Sequence, residues 1–394
     1  MKLSRRAERT SPSATLAISA LARELKASGR PVLSFSAGEP DFRSPESALT
    51  AAKDAIERGE THYTANSGIP ELKSAVISYY RDRFGLEYSP QEVIVSGGAK
   101  QVLYEIIQTL TDESDEVLLP SPAWVSYVEQ IRMAGGCAVP ADTTDTGFIP
   151  SEDRLKRALS DRTKGIILNT PNNPVGTVYD EDTLRMIAGL ARANDLWIIY
   201  DEIYERLVYG EAKHRNILQL APDLRDRVII VNGVSKTYSM TGWRIGYALG
   251  PKEVIAKADD LQSHMASNPS SIAQWAAVGA INGPDDYIER CRSEFERRRD
   301  ILTGILGGVK GLSMTRPDGA FYAFLDIRNT GIPDDMEFCR RILEEKYTAL
   351  VPGSAFLAPG FVRMSYACSE DDIREGASRI KDFIESLRNE HPQY

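Results

Sequence analysis

The feature that most constrains the fold is a series of short apolar runs that alternate with amphipathic stretches through the middle of the chain. The runs are rich in Val, Ile and Leu without regular polar alternation, which is typical of strands buried on both faces. The stretches between them repeat apolar residues at helical spacing. Strands are predicted at 93–95, 117–119, 165–168, 196–200, 228–231 and 245–249. The alternation predicts an α/β fold, with a mostly parallel sheet covered by helices on both faces.

From about residue 285 the pattern changes to longer charged helices and shorter strands. The predicted elements there are a helix over 287–306, strands over 320–327 and 362–366, and a final helix over 370–388. At 394 residues the chain is too long for one simple core. We therefore predict a large domain at 46–285 and a smaller, discontinuous α+β domain formed by 1–45 and 286–394.

Charge and cysteine usage restrict the possible partners. The net charge is −9, which disfavours nucleic acid or an acidic membrane surface as a partner. The four cysteines form no CxxC and no two of the four histidines have metal-ligand spacing, so no metal site is predicted. No apolar run approaches the length of about 18 residues that spans a membrane. These features predict a protein of the cytoplasm.

The loops that follow the predicted strands carry chemically useful residues. Because ligands bind beyond the carboxyl ends of strands in open α/β sheets, these loops are expected to share one site. A glycine turn at 97–98 opens a helix, and free amides at a helix start suit a phosphate. Lys236 follows the strand at 228–231, where lost solvation lowers the pKa of an amine and lets it attack a carbonyl. Arg244 lies close enough in sequence to reach a phosphate.

An aldehyde and a phosphate on one cofactor indicate pyridoxal phosphate. The motifs of competing phosphate-binding and hydrolase folds are missing, since the chain has no GxGxxG, GxxxxGK[ST] or GxSxG. A dinucleotide-binding dehydrogenase, a P-loop NTPase and an α/β-hydrolase are each disfavoured.

With these residues in view, the chain resembles the fold-type I pyridoxal phosphate enzymes, specifically the class I aminotransferases of the bacterial aspartate aminotransferase branch. The segments that carry the resemblance are 36–42 (SAGEPDF), 63–68, 169–176, 201–204, 235–246 and 362–366. It extends from about residue 3 to the final helix, and it implies the fold of that family.

The resemblance implies roles for the residues around the cofactor ring. Lys236 would form the Schiff base with the aldehyde and move a proton during catalysis. Asp201 would pair with the pyridine nitrogen and keep it protonated. Asn173 and Tyr204 would bind the ring 3-oxygen, and Trp124 would stack on the ring. Lys236, Asp201 and Tyr204 are therefore the expected catalytic residues.

The resemblance also implies how the phosphate is bound. The residues expected to bind it are Gly98, Ala99, Ser235 and Arg244, with Lys100 beside them as a further cofactor contact. Tyr63 resembles the residue that the family donates to the phosphate of the neighbouring subunit. A homodimer with shared active sites is therefore expected.

For the substrate, Arg363 resembles the arginine that clamps the α-carboxylate, a bidentate role that lysine fills less well. Gly38 would close over the substrate, and Lys100 and Thr15 would bind a distal carboxylate. The expected substrate contacts are Gly38, Trp124, Asn173, Arg363, Lys100 and Thr15.

Expected substrates are amino acids and 2-oxo acids, with aspartate or glutamate and 2-oxoglutarate or oxaloacetate favoured. Prephenate and aromatic or neutral amino acids remain open as alternatives. A β-lyase on the same scaffold also remains open, because it would share every cofactor residue. A regulator without enzymatic activity is disfavoured, since the chain has no spare length for a DNA-binding module.

Overall fold

The computed structural model describes residues 3–4, 8 and 14–390, with side chains except at 14–17, 19 and 389–390. The helices are α1 (Ala14–Ala27), α2 (Glu46–Glu57), α3 (Pro70–Phe84), α4 (Ala99–Leu110), α5 (Val125–Met133), α6 (Glu152–Ala158), α7 (Glu181–Ala193), α8 (Ile217–Leu220), α9 (Lys252–Met265), α10 (Ser271–Ile281), α11 (Asp286–Leu306), α12 (Asp335–Lys346) and α13 (Glu370–Glu390). The strands are β1 (Leu33–Ser34), β2 (Val93–Ser96), β3 (Glu116–Ser121), β4 (Cys137–Asp142), β5 (Thr163–Asn169), β6 (Trp197–Asp201), β7 (Val228–Gly233), β8 (Gly246–Leu249), β9 (Ser313–Met314), β10 (Tyr322–Asp326), β11 (Thr348–Ala349), β12 (Val351–Pro352) and β13 (Phe361–Ser365).

The largest sheet has seven strands in the order β2-β8-β7-β6-β5-β3-β4. The pairs from β4 through β7 are parallel, whereas β8 runs antiparallel to both β2 and β7. Nearly every residue of β5, β6 and β7 is buried, as expected for strands covered by helices on both faces. The predicted α/β fold with a mostly parallel sheet is confirmed.

Local sequence explains where several elements begin and end. Helix α3 starts with Pro70, whose missing amide proton is no loss in a first turn, and ends at Gly85, whose φ of 70° is left-handed. Helix α7 is capped by Asp180, whose side chain accepts from the Thr183 amide at 2.8 Å. Both helices thus start or stop at residues that favour a helix terminus.

Strand β4 and helices α2 and α10 were not predicted, for identifiable reasons. Strand β4 lies at the sheet edge and only one of its six residues is buried, so it lacks a continuous apolar run, and its position tolerates Pro140. Helices α2 and α10 pack so closely that a Cβ on Gly279 would lie 2.4 Å from the Ser47 carbonyl oxygen. Such packing uses small residues, which weakens the apolar periodicity that reveals a helix.

The C-terminal part builds a second core around an antiparallel sheet, β12-β13-β10-β9. Helices α12 and α13 pack on this core, and Ile18, Ala22 and Phe35 from the N-terminal segment are buried in it. Strand β1 pairs in parallel with β11, which ties the same segment to the C-terminal part. The predicted boundaries at 45/46 and 285/286 remain a prediction. Within the described residues, no helix is long and apolar enough to cross a membrane.

Candidate active site

The carboxyl ends of five strands of the large sheet open onto one cavity of about 500 Å³. The loops after β2, β3, β5, β6 and β7 line it, together with residues of the N-terminal segment and of β10 and β13. The site residues predicted from sequence that line this cavity are Gly38, Ala99, Lys100, Trp124, Asn173, Asp201, Tyr204, Ser235, Lys236, Arg244 and Arg363. The fold thus brings most of the predicted set to one place.

Lys236 lies in the loop after β7, and its side chain is half-buried. Its Nζ donates a hydrogen bond to the Gly38 carbonyl at 2.6 Å. Loss of water around the amine lowers the pKa of Lys236 to about 8, and the positive charge of Arg363 adds to this shift, while Glu39 opposes it. Roughly a tenth of this amine is therefore unprotonated at pH 7, far more than for an ordinary lysine, and this fraction can act as a nucleophile.

Asp201, the last residue of β6, is buried beneath the same cavity. Burial raises the pKa of Asp201 to about 6, although hydrogen bonds to its carboxylate oppose the rise. Those bonds come from the Tyr127 hydroxyl at 2.6 Å and from the Ile203 amide at 3.2 Å. A buried carboxylate of this kind is stabilised further by a cationic group placed against it.

The phosphate-binding residues predicted from sequence surround the start of α4. Gly98 is the N-cap of α4, and no side chain of the described residues caps the first-turn amides of this helix. A Cβ on Gly98 would lie 2.5 Å from the Arg244 Nη2, and φ at Gly98 is 98°, so this position requires glycine. Arg244 donates to the Gly97 and Thr241 carbonyls at 3.2 and 3.0 Å. The guanidinium therefore lies beside the free helix amides.

Arg363 on β13 is buried and held in a fixed orientation. It donates to the Asn173 side-chain oxygen at 2.9 Å and to the Ser36 carbonyl at 2.8 Å. Its guanidinium carbon lies 4.5 Å from the Tyr322 ring centroid and 4.9 Å from that of Phe356. The buried Nε of Arg363 has no hydrogen-bond partner within the described residues, so it is available to an incoming carboxylate.

Lys100 and Trp124 lie together on the wall of the cavity. The Lys100 Nζ is 4.9 Å from the Trp124 ring centroid. Partial desolvation, with a smaller contribution from Arg244, lowers the pKa of Lys100. A second cation is thus available in the cavity that holds Arg363.

One predicted site residue lies away from the cavity. Tyr63 does not line the cavity, and it is 93% exposed. The side chain of Thr15 lies outside the described residues, so its predicted contact with substrate stays a prediction. Gly98 borders the cavity through its neighbour Ala99.

Three aromatic residues of the site were not predicted. Tyr127 contacts Asp201, Tyr322 shares a 2.9 Å hydrogen bond with the Tyr204 hydroxyl, and Phe356 packs on Arg363. Tyr127 lies in the first turn of α5 and Tyr322 is the first residue of β10, and an aromatic residue in a helix or strand is ordinarily part of the core. Only their contacts with residues far away in the sequence distinguish these aromatic residues from ordinary core residues.

Comparison with known proteins agrees with this geometry. The family model for aminotransferases of class I and II matches residues 30–380. An aspartate aminotransferase of Geobacillus stearothermophilus is 46% identical over 98% of this chain and 100% of its own length. An aspartate/prephenate aminotransferase of Cereibacter sphaeroides is 42% identical over 96% and 98%, respectively. A solved structure of the Thermus thermophilus aspartate aminotransferase with maleate matches with a TM-score of 0.92 and 41% identity, over 97% and 99% of the two chains.

The fold and the site define an enzyme of pyridoxal phosphate chemistry. The chain belongs to the aminotransferase class I and II family, in the branch that contains the aspartate aminotransferases.

The residues present fit pyridoxal phosphate. The amine of Lys236 suits its aldehyde, the buried carboxylate of Asp201 suits a protonated pyridine nitrogen, and the turn at Gly98 with Arg244 suits its phosphate. Among the described residues, no cluster of three His, Cys, Asp or Glu could hold a metal ion.

Proposed function

We propose that the protein is an aminotransferase that moves the amino group of L-aspartate or L-glutamate to a 2-oxo acid such as 2-oxoglutarate. One observation carries the proposal: a lysine with a pKa lowered to about 8 shares a cavity with a buried carboxylate, a helix-start anion site and an arginine held for a carboxylate. This set contains what amino-group transfer requires at the amine, the ring, the phosphate and the substrate.

The cofactor residues have separable roles in this proposal. Bound here, pyridoxal phosphate supplies an aldehyde for covalent attachment and a ring that accepts the electron pair left when the substrate Cα loses its proton. Lys236 would attach to the aldehyde and, once displaced, take the proton from Cα. Asp201 would hold a proton on the pyridine nitrogen. Tyr204 and Asn173 would donate to the ring oxygen, while Trp124 would cover the ring face.

The phosphate would be bound by the amides at the start of α4. Gly98 and Ala99 would supply those amides, Ser235 a hydroxyl and Arg244 a guanidinium. A dianionic group at this helix end also gains from the helix dipole. This part of the site binds and orients the cofactor and does not take part in the chemistry.

The substrate would be held at both of its carboxylates. The fork of Arg363 would bind the α-carboxylate, and Lys100 would bind the distal carboxylate. Maleate, which accompanies the structure of the Thermus thermophilus relative, is a dicarboxylate, and this supports a site for two carboxylates. Gly38, whose carbonyl accepts from Lys236, would close over the bound substrate.

A comparison of half-reactions tests the assignment of Lys100. Replacing the amine in Lys100→Ser should lower kcat/KM for aspartate by roughly 100-fold and that for alanine by less than about threefold, because only aspartate has a distal carboxylate. Lys164→Ser, at an exposed lysine in β5, is the matched control and should change neither value. Equal losses for aspartate and alanine in the Lys100 variant would contradict the assignment. Pyruvate and ammonia formed without an acceptor would favour a β-lyase instead.

Prephenate is a second candidate acceptor, supported by the aspartate/prephenate activity in the name of the Cereibacter sphaeroides relative. Incubation of the aminated enzyme with prephenate should return the cofactor to its aldehyde form. The absence of any spectral change with prephenate, alongside a full change with 2-oxoglutarate, would exclude it.

We also propose a homodimer with shared active sites. The 93% exposure of Tyr63 supports it, as does the exposure of Ile56, Leu261 and Met265, since large apolar side chains in water favour an interface. Tyr63 of one subunit would reach the phosphate of the other. Mixed dimers of Tyr63→Ala and Lys236→Ala chains should regain activity, because one of their two sites has both residues intact. If the mixture stays as inactive as its components, Tyr63 does not act across subunits.

The division into domains at 46–285 and at 1–45 with 286–394 forms part of the same proposal. Two apolar clusters support it, because one lies mostly within 46–285 and the other mostly outside that range. Because Arg363 lies in the smaller part, carboxylate binding would draw the two parts together. If maleate protects the segment near residue 45 from proteolysis, that result would support this movement. Cleavage at an unchanged rate with maleate would count against it.

A cytoplasmic location is the remaining part of the proposal. All four cysteines are free, which fits a reducing compartment. Fractionation of cells that express the protein would test it, and recovery from an oxidising compartment would contradict it.

A further inference from the structure

A buried carboxylic acid lies directly beneath the predicted phosphate-binding turn. Glu105 on α4 is completely buried, and its Oε1 accepts from the Gln101 side-chain amide at 2.9 Å. Its Oε2 contacts the Ser96 hydroxyl, and that hydroxyl also contacts the Gln262 side-chain oxygen. The three side chains thus form a chain of oxygens from α4 through β2 to α9.

The number of protons available along this chain of oxygens determines whether the carboxyl group of Glu105 is protonated. The Gln262 amide nitrogen donates to the Asn66 and Val95 carbonyls at 2.7 and 3.0 Å, so its oxygen must face Ser96 and can only accept. The single proton of the Ser96 hydroxyl satisfies that oxygen. The contact between Ser96 and Glu105 then needs a proton on Glu105, because two close oxygens without a proton between them repel.

The charges around Glu105 agree with this count. Burial is the main cause that raises the pKa of Glu105 to about 7, and the negative charge of Asp259 on α9 adds to the rise. Hydrogen bonding with the Ser96 hydroxyl and with the Gln101 amide opposes the rise. Within residues 14–390, no ion pair reaches Glu105 from α5, α9, β2, β7 or β8, the elements that pack against α4. An ionised Glu105 would be a buried charge without a cationic partner.

The same network supports the turn that follows β2. Ser96 is the last residue of β2, and its carbonyl accepts from the Gly98 amide at 2.7 Å. Gln101 lies against the turn, since a Cβ on Gly97 would approach its side-chain oxygen to 2.3 Å. A change at Glu105 therefore reaches Gly97 and Gly98 through Ser96 and Gln101.

We propose that Glu105 is a positioning residue of the phosphate-binding turn, that it acts as a neutral carboxylic acid, and that its ionisation weakens binding of the cofactor phosphate. An anion in the second turn of α4 opposes the dipole that attracts the phosphate, and it breaks the hydrogen-bond chain that supports the turn. The inference rests on the proposed role of this turn in the proposed function.

The test compares pyridoxal phosphate with pyridoxal, which lacks the phosphate. The ratio of their dissociation constants isolates the phosphate contribution and cancels the titration of Lys236, which affects both ligands. In the wild type, the preference for pyridoxal phosphate should fall roughly tenfold between about pH 6 and about pH 8.5. In Glu105→Gln, a neutral isostere, it should stay within about twofold.

Glu92→Gln is the matched control, because this glutamate precedes β2 and its pKa is lowered by its hydrogen bonds and Arg225 despite the opposing effect of burial. Its curve should follow that of the wild type. The inference would be overturned if the preference for pyridoxal phosphate changed equally with pH in wild type and Glu105→Gln. It would also be overturned if that preference did not change with pH in the wild type. A wild type that binds pyridoxal as tightly as pyridoxal phosphate at every pH would instead overturn the phosphate role of the turn.

If Glu105→Gln fails to fold, the pH dependence of the wild-type preference for pyridoxal phosphate still tests the inference. The phosphate of free pyridoxal phosphate gains charge as the pH rises, so a simple cationic site should bind it more tightly at higher pH. A fall in preference above about pH 7 therefore supports the inference, and a rise or a plateau refutes it.

Discussion

Removing one hydroxyl next to Asp201 should change both the stability of the cofactor-free protein and the turnover of the loaded enzyme. Tyr127 donates to Asp201 at 2.6 Å, and both side chains are buried. A hydrogen bond to a buried charged group contributes about 1.5–3 kcal/mol. Tyr127→Phe should therefore raise the pKa of Asp201 by about one to two units above its value of about 6.

The sign of the stability change follows from proton binding. Between about pH 4 and about pH 6 the folded protein holds the Asp201 proton more tightly than the unfolded chain, so this group costs stability as the pH rises through that window. In Tyr127→Phe the pH range over which stability falls extends to about pH 7–8. Above that range, the variant's free energy of unfolding should be lower than that of the wild type by about 1.5–3 kcal/mol. The variant should thus be only slightly less stable than wild type near pH 5 and clearly less stable near pH 8.

Urea unfolding of the cofactor-free protein at these two pH values measures the effect. Tyr179→Phe is the control, because Tyr179 is also buried but burial alone accounts for its raised pKa. The loss of stability in Tyr179→Phe should therefore be the same at both pH values. In the loaded enzyme, Tyr127→Phe should lower kcat by roughly 10- to 100-fold with little change in KM, because Asp201 then holds the pyridine proton less well. An equal loss of stability at both pH values would refute the reasoning.

Two further substitutions test the substrate end of the cavity. Arg363→Lys removes the bidentate fork. In steady-state assays it should lower kcat/KM by roughly 100-fold for every amino acid, charged or not, since all of them have the α-carboxylate. A loss confined to aspartate would contradict this prediction. Gly38→Ala would introduce a Cβ 2.3 Å from the Tyr322 hydroxyl oxygen, so it should displace Tyr322 and reduce turnover. The pH at which the visible absorption band of the cofactor titrates should also shift. If the band and the turnover rate are both unchanged, the backbone around Gly38 accommodates the methyl group without affecting catalysis, which would contradict this prediction.

Much of the site could be predicted from sequence because strand order and direction determine which loops meet. Asp201 and Lys236 follow apolar runs that became β6 and β7, which are parallel neighbours, so their loops share the same edge of the sheet. Family resemblance then supplied Arg363, which lies on a strand of a different sheet and which no local pattern connects to Asn173.

The remaining part depends on contacts between distant residues. Tyr127 and Asp201 are 74 positions apart, and nothing in a helix with an aromatic residue indicates which carboxylate it reaches. Glu105 could be expected only as a polar residue on a helix; its burial follows from the way α9 covers α4 and brings in Gln262. Side-chain packing of this kind is determined by tertiary structure and leaves no periodic trace in the sequence.

The central claim is that the amine of Lys236 carries the cofactor. Borohydride reduction of the loaded enzyme, followed by proteolysis and mass spectrometry, tests it most directly. A pyridoxyl group on the peptide that contains Lys236, and its absence from Lys236→Ala, is the result that this account predicts. A label on another lysine, or none in a protein that binds pyridoxal phosphate, would contradict it.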